Sequence, residues 1–325
     1  MTETLPRPLL ITHGGKFHLD EVFAYAVLRA ALGLSRPGAD HTLLRTRKAE
    51  LIETGDIVFD VGSVFDAAAS RFDHHQIGAP TREDGTPFSS AGLIWQAYGE
   101  QAVAALLAPE AAPFAPAIAA KLDEKLVKRI DEIDNGVSAA GPVMRDGLDL
   151  AGLVGDFNPP WDSPDATGPT AGDDAFQQAA AMVGGVLARQ VEIQRAKFQA
   201  EALVLAAHKA AEDKRLLVLD SGMPWKNVVF SHDLPVLFTV SPASNGNWMV
   251  DTVPPEPGSF AQRLPLPEGW AGLQEKALAE ASGVEDAVFV HLRRFVGGAK
   301  SREGAIALAR KALAADAVAA LPGPP

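Results

Sequence analysis

The sequence predicts an α/β protein with a mostly parallel sheet domain, a long linker helix and a smaller α/β C-terminal domain. Three observations lead to this prediction. Short apolar runs alternate with helical spacing up to about residue 135, residues 174–212 have helical spacing without proline, and several β-like runs follow residue 214. Strands that alternate with helices are typical of parallel sheets covered by helices.

Apolar runs and capping residues predict the elements of the first domain, residues 1–173. We predict strands in PLLITHG, from Asp56 to Val61 and just before residue 73, and helices from Asp20 to Leu32 and from Gly92 to Leu107, the last with Ser89 or Ser90 as N-cap. Residues 135–172 are rich in Gly, Pro and Asp and lack periodicity, so we predict long loops there.

The C-terminal domain, residues 213–325, follows one long helix over residues 174–212. Its predicted strands are LLVLD, VVFSH, VLFTV and NWMVDTV, and its closing helix runs from about Arg302 to Ala320. These elements are enough for a second sheet with its own core.

Composition limits the classes of function. The chain of 325 residues contains no cysteine, which excludes disulfides and thiolate metal sites and leaves His, Asp and Glu as metal ligands. The start shows no signal-peptide pattern, and prolines interrupt the apolar run 102–120, so we expect a cytoplasmic protein without membrane contact. The sequence leaves homo-oligomerisation open.

The net charge of −12 argues against broad non-specific binding of nucleic acids. The excess lies in the first 174 residues, with 14 Lys and Arg against 26 Asp and Glu, whereas residues 213–325 are nearly neutral at 11 against 12. An acidic first domain is expected where carboxylates converge on cations.

Four clusters of histidine and aspartate lie after predicted strands or on a helix of the first domain. They are His13, His18, Asp20 and Glu21 around a Gly-Gly turn; Asp60 after a strand; Asp73, His74 and His75; and Asp131 or Asp134 at i, i+3 on one helix face. Each has a plain structural alternative: a glycine turn with a capping aspartate, a loop cap, a surface His pair or a solvated acidic face.

Together the four clusters are explained by one site that binds two metal ions through imidazole and carboxylate ligands. Such a pair activates water and neutralises the charge on a phosphate ester during in-line attack. Nitrogen and oxygen ligands without sulfur favour Mn²⁺, with Mg²⁺, Co²⁺ or Zn²⁺ as alternatives.

The chain also resembles a known family, the melanocyte-proliferating-gene family of metal-dependent exonucleases within the DHH phosphoesterase superfamily. The likeness spans residues 12 to about 309 and rests on THGGKFHLDE, DVG, RFDHHQ, SSAGLIW, IDEIDNG, FNPPW, SFAQRLPLPEGWAGL and FVHLRRFVGGAKSREGAIALA. It implies a DHH-type first domain. One departure is His18, where many DHH enzymes carry an aspartate.

The resemblance also implies roles for the site residues. His13, His18 and Asp60 resemble the ligands of one metal. The residues that resemble the ligands of the other metal are Asp20, Asp60, His74 and Asp134, and Asp60 would bridge the two metals. His75 resembles the free histidine that contacts phosphate or protonates the leaving group, and Asp73 the residue that orients a histidine. Asp131 is the alternative to Asp134.

A basic segment of the C-terminal domain is the candidate substrate-binding element. Six basic residues and one acidic residue lie between Phe289 and Lys311. Backbone amides near glycines can bind phosphate, and in DHH proteins a Gly-Gly element faces the metals across a cleft. We therefore expect substrate contacts from Arg293, Arg294, Gly297, Gly298 and Lys300, with the glycines in a strand-to-helix turn.

Three functions remain open at this point. The first is an exonuclease or phosphodiesterase that acts on RNA or short oligonucleotides. The second is a hydrolase of a small phosphate compound such as pyrophosphate or a nucleotide bisphosphate, which the scarcity of aromatics near the basic turn keeps open. The third is a metal-binding protein without catalysis, against which the complete motif set argues.

Overall fold

The structure, a computed structural model, describes residues 7–137 and 149–319. The chain forms two compact units, with the boundary between Arg195 and Ala196. This boundary falls inside one helix, Asp173–Ala210, which covers all but the last two residues of the long helix predicted over residues 174–212.

The first unit contains five strands and several helices among the described residues. In chain order they are β1 (Leu9–Thr12), α1 (Leu19–Leu32), β2 (Thr42–Arg45), α2 (Ala49–Ile52), β3 (Ile57–Phe59), β4 (Phe65–Asp66), β5 (Arg71–Phe72), α3 (Ser90–Leu106), α4 (Ala115–Leu122), α5 (Lys128–Asp134), α6 (Leu150–Gly155) and α7 (Asp173–Ala210). A π-helical turn, Asp123–Val127, joins α4 to α5.

The sheet of this unit has the strand order β2-β1-β3-β5-β4. The first four strands in this order are parallel, and β4 pairs with β5 as an antiparallel edge hairpin. Ile11 of β1 lies in register with Leu44 of β2 and Val58 of β3, and all three pack in one apolar cluster. The parallel pairing brings the carboxyl ends of β1, β2, β3 and β5 to one edge.

Helix α1 is buried along most of its length and packs against α3. The carboxylate of Glu21 accepts the backbone N–H of His18 at its start, and Gly33 ends it in the left-handed conformation. Phe23 of α1 and Trp95 of α3 pack with ring centroids 5.9 Å apart. The predicted helices Asp20–Leu32 and Gly92–Leu107, including the N-cap Ser89, are confirmed.

The predicted loop region 135–172 is only partly irregular. Residues 138–148 of it lie outside the described part of the chain. Beyond them a short helix, α6, begins where the side chain of Asp149 accepts the N–H of Gly152, and a 3₁₀ turn occupies Pro164–Ala166. The prediction missed α6 because two glycines weaken its helical signal, whereas the aspartate cap compensates locally.

The second unit contains a five-stranded sheet with the order β6-β7-β8-β10-β9. Its elements are the C-terminal part of α7, β6 (Leu216–Val218), α8 (Lys226–Ser231), β7 (Phe238–Pro242), β8 (Trp248–Thr252), α9 (Glu275–Ser282), β9 (Ala287–Val290), β10 (Val296–Ala299) and α10 (Arg302–Ala319). β6 and β7 are parallel, and the other pairs are antiparallel. One face packs on α10, whose Leu308 and Leu313 are buried with Phe238 and Val250.

The predicted strand VVFSH is wrong, because this segment forms helix α8. Val228 and Val229 are buried with Leu217 and Trp225 in a second apolar cluster. Burial of this helical face outweighs the β preference of valine, which is a weak local bias.

The predicted Gly-Gly turn is also misplaced. Gly297 and Gly298 lie inside β10 and pair with β8 on one side and β9 on the other. A Cβ atom on Gly298 would lie 3.1 Å from the carbonyl oxygen of Trp248. The glycines therefore allow close packing between strands. In the sequence, the basic residues around them favoured the interpretation as a phosphate-binding turn.

The two sheets with their helices make the chain a mixed α/β protein, as predicted. Within residues 7–137 and 149–319, none of the helices has the length and apolar character needed to cross a membrane.

Candidate metal centre

The predicted site residues of the first unit follow neighbouring parallel strands. His13 follows β1, Asp60 follows β3, and Asp73 with its two histidines follows β5. Since these strands are parallel neighbours, their carboxyl ends place the side chains at one edge of the sheet. The structure thus brings the separated motifs together as the sequence predicts.

Asp60 lies at the centre of this cluster, with its side chain 4% exposed. Its Oδ2 is 3.2 Å from Nε2 of His13, and its Oδ1 is 3.2 Å from Nε2 of His74, although the latter contact lacks hydrogen-bond geometry. Its backbone has a φ of 56°, a left-handed conformation that aspartate tolerates better than most residues. Burial alone raises the pKa of Asp60, but the two histidines lower it to about 2.

His13 is buried between two carboxylates. Its Nε2 lies 2.9 Å from Oε1 of Glu21, in addition to the contact with Asp60. Burial lowers the pKa of His13, but the hydrogen bonds to Asp60 and Glu21 outweigh this effect and raise it to about 10. Without a cation in the cluster, His13 is therefore protonated at neutral pH.

Asp20 and Glu21 enter the cluster from the first turn of α1, and both are almost completely buried. Ser90 donates its hydroxyl to Oδ2 of Asp20 at 2.8 Å, whereas Oδ1 of Asp20 is buried without a hydrogen-bond partner. Burial raises the pKa of both carboxyls, and their mutual repulsion raises that of Glu21 further. An unpartnered buried carboxylate oxygen is costly unless a cation or a proton satisfies it.

His74 and Asp134 form the opposite side of the cluster, with Nε2 of His74 lying 3.4 Å from Oδ2 of Asp134. Burial lowers the pKa of His74, but Asp60, Asp20 and Asp134 raise it to about 9. Burial and the charge of Asp20 raise the pKa of Asp134 to about 8.

Asp131, the alternative to Asp134, has a different environment. Its carboxylate accepts hydrogen bonds from Arg82 at 2.7 Å and from the backbone and hydroxyl of Ser89. Arg82 also pairs with Asp123 and lies over the ring of Phe88. Asp131 thus belongs to a buried ion-pair network, and Asp134 is the residue beside His74.

The two adjacent histidines differ in their surroundings. The side chain of His74 is 8% exposed among carboxylates, whereas that of His75 is 57% exposed. Nδ1 of His75 lies 2.6 Å from Oδ1 of Asp73, and the same carboxylate accepts backbone N–H groups of His74 and Ser63. Asp73 therefore holds both the turn and the ring of His75.

Nine His, Asp and Glu side chains in this region offer ligand atoms close enough to share metal ions. The groups, each with atoms within 4.8 Å of one another, are Asp60-Asp73-His74-His75, His13-His18-Glu21, Asp20-His74-Asp134 and Asp20-Glu21-Asp60. The donor set fits divalent cations, since it combines imidazole with buried carboxylates whose mutual repulsion a cation would relieve.

A cavity of about 330 Å³ opens onto the cluster. Its lining comprises His13, His18, Arg47, Asp60, His74, His75, Asp134 and Asn135. Arg47 is the one lysine or arginine among these lining residues. Its Nη2 lies 3.0 Å from Nδ1 of His13, and its Nε donates to the carbonyl oxygen of Gly14.

The sequence predictions gave no ligand or binding role to Glu21, Ser90 or Arg47. Glu21 lies in the first sequence cluster beside His18 and Asp20, and this position was the available signal for its role. Arg47 lies two residues beyond β2, which ends at the same sheet edge as β1, so the strand order would have indicated it.

The candidate substrate residues lie in the second unit. Arg293 and Arg294 occupy the turn between β9 and β10, where Arg293 is exposed and Arg294 has a φ of 59°. Arg294 donates to the carbonyl oxygen of Leu266, and Lys300 lies 3.7 Å from a carboxylate oxygen of Glu275.

The fold and the cluster define an α/β protein with a buried His-carboxylate site suited to metal ions. Comparison with known proteins specifies the family. The model of the MYG1_exonuc family, described as Uncharacterised protein family (UPF0160), matches residues 9–313. The chain belongs to this family, which agrees with the resemblance found in the motifs.

Full-length relatives support this membership. A MYG1 protein of Caenorhabditis elegans is 35% identical, with 94% of this chain and 95% of the relative covered. The protein named MYG1 exonuclease of Homo sapiens is 34% identical, covering 94% and 86%, and a MYG1 protein of Schizosaccharomyces pombe is 33% identical, covering 94% and 97%. The search of solved structures found no match.

Proposed function

We propose that the chain is a divalent-metal-dependent phosphoesterase with a DHH-type catalytic domain. In this proposal it is an exonuclease that hydrolyses the phosphodiester bonds of RNA or short oligonucleotides with two metal ions. The observation that carries the proposal is the position of Asp60, which presents separate oxygens to His13 and His74. A carboxylate placed in this way between two ligand groups suits a bridging role.

The ligand sets of the proposal follow the two sides of the cluster. His13, His18 and Asp60 hold one ion, and Glu21 either joins them or orients His13. The second ion is held by Asp20, Asp60, His74 and Asp134. Mn²⁺ is the preferred metal, because the donors are nitrogen and oxygen without sulfur.

The chemistry requires groups that bind phosphate and move protons. Bound divalent ions would lower the pKa of a water molecule and neutralise charge on the scissile phosphate. His75 is the proposed proton donor to the leaving oxygen, since Asp73 contacts its Nδ1 and leaves Nε2 for the substrate. Arg293, Arg294 and Lys300 are the proposed contacts to the oligonucleotide backbone, on a hairpin that Gly297 and Gly298 help to position.

Two further observations support this function. Relatives in human, mouse, rat and cattle that are similar over 94% of this chain carry the name MYG1 exonuclease. In addition, the cluster combines several buried carboxylates with raised pKa values, a concentration that is common at functional sites.

An activity screen with added Mn²⁺ tests the proposal, using RNA, DNA, dinucleotides and pyrophosphate as substrates. We expect stepwise release of mononucleotides from RNA or short oligonucleotides, loss of activity on chelation, and loss in Asp60→Asn. Asp66→Asn, which changes an exposed carboxylate of the same unit, is the matched control. Hydrolysis confined to pyrophosphate would instead identify an enzyme for small phosphate compounds.

A further inference from the structure

A second cavity that Arg47 also lines lies within the first unit. It has a volume of about 590 Å³, within the usual range for small-molecule sites. The Gly14-Gly15 turn, residues 44–48 after β2 and the segment 166–173 form most of its walls. Arg47 is the one residue that lines both this cavity and the cavity that opens onto the His-carboxylate cluster.

The charges around this cavity favour an anion. Arg45 pairs with Asp173 at 3.2 Å and also donates to the carbonyl oxygens of Gly15 and Ala171, so its charge is already compensated. Arg47 and Lys48 are exposed and form no ion pair with any carboxylate in the described part of the chain. The cavity therefore carries a positive surplus inside an acidic unit.

The Gly14-Gly15 turn forms part of the wall of this cavity. Gly15 has a φ of 100°, which favours glycine, and an added Cβ atom would meet no atom within 4 Å. Gly14 lies against β2, where a Cβ atom would come within 3.2 Å of the carbonyl oxygen of Arg45.

We infer that Arg47 binds the phosphate next to the scissile one and that the 590 Å³ cavity admits the adjoining nucleotide. A guanidinium group matches a phosphate in a two-pronged arrangement, and Arg47 lies beside His13, at the border of the proposed metal site. This inference rests on the proposed function, since its ligand is an oligonucleotide. It adds a subsite that holds the part of the oligonucleotide next to the cleaved bond.

Binding of a fluorescent, phosphorothioate-linked RNA pentanucleotide in the presence of Mn²⁺ tests the role of Arg47 without turnover. We expect Arg47→Met to weaken binding about 10-fold to 100-fold, the usual worth of hydrogen bonds to a charged group. The slope of log K against log salt should fall by about 0.7, the contribution of one phosphate of a single strand. Arg47→Lys should restore most of the slope, because the charge remains.

Arg36→Met is the matched control, since it removes an exposed guanidinium of the same unit that lines neither cavity. It should leave affinity and slope unchanged. An Arg47→Met slope equal to that of the wild type overturns the inference, even if affinity falls, because Arg47 would then act only by holding His13. Absence of pentanucleotide binding by the wild-type protein overturns it as well.

The cavity itself is tested by occlusion with Ala166→Trp, at a position that lines it at the end of the 3₁₀ turn. The variant should bind the pentanucleotide at least 10-fold more weakly and keep the hydrolysis of a chromogenic mononucleotide ester. Equal binding by variant and wild type overturns the nucleotide subsite. Failure of the proposed function is a separate result, because it would appear as the absence of all oligonucleotide hydrolysis by the wild type.

Discussion

Oε1 of Glu21 lies 2.9 Å from Nε2 of His13, and neither side chain is more than 4% exposed. Glu21 also accepts the backbone N–H of His18, so one carboxylate connects both histidines of the first motif. A buried carboxylate in this position either binds a metal ion or fixes the orientation of the imidazole that does so.

We therefore predict that Glu21→Gln weakens Mn²⁺ binding by about 10-fold to 100-fold, as is usual when a partner of a metal ligand is lost. Isothermal titration calorimetry on metal-free protein measures the effect. Glu50→Gln, an exposed change in α2, is the control and should bind Mn²⁺ as the wild type does. Unchanged affinity in Glu21→Gln would mean that the carboxylate serves only the helix cap.

Two ions should bind to the wild-type protein. The ligand atoms fall on two sides of Asp60, so elemental analysis of Mn²⁺-loaded protein should approach two equivalents, and Asp60→Ala should lose both tight sites. One tight equivalent that persists in Asp60→Ala would contradict the dinuclear site.

The adjacent histidines should respond differently to substitution. His74→Ala should lower metal content, because His74 is buried between Asp60 and Asp134. His75→Ala should keep the metal and slow turnover by about 10²–10⁴, the range expected for a positioned acid. Metal analysis beside kcat measurements separates these effects, and equal metal loss in both variants would show that the assigned roles are wrong.

Metal affinity should rise with pH from about pH 6 to about pH 10, because the ligand protons that compete with the metal are lost over this range. In the metal-free protein the pKa values of His13 and His74 are raised to about 10 and about 9, and that of Asp134 to about 8. These ligands are thus protonated at neutral pH, and metal binding must release their protons. Calorimetry in buffers of different ionisation enthalpy should detect net proton release at pH 7, and a release of zero would refute this protonation pattern.

Arg82 should stabilise the first unit through its ion pairs with Asp123 and with Asp131 of α5. Arg82→Met would leave Asp131 buried without its cation, and we expect the free energy of unfolding to fall by about 3 kcal/mol. Arg129→Met breaks an exposed pair with Glu132 and should cost less than about 1 kcal/mol. Chemical denaturation measures the free energy of unfolding of both variants. Similar losses would show that the buried network stabilises the unit no more than the exposed pair does.

Several features of this protein were readable in the sequence alone. Apolar periodicity and capping residues predicted α1, α3, α7 and α10 because these signals are local. The convergence of His13, Asp60 and Asp73 was predictable too, since each follows a strand and parallel strands share their carboxyl edge. The family resemblance covered the same residues.

Tertiary structure decided the rest, because those features depend on partners distant in sequence. Val228 and Val229 form a helix since their burial with Leu217 outweighs a weak β preference. Asp131 and Asp134 share one helix face and look equivalent in the sequence. Only the tertiary structure places Asp131 in an ion pair with Arg82 and Asp134 beside His74 in the His-carboxylate cluster. The role of a carboxylate is set by the charges that lie near it in the fold.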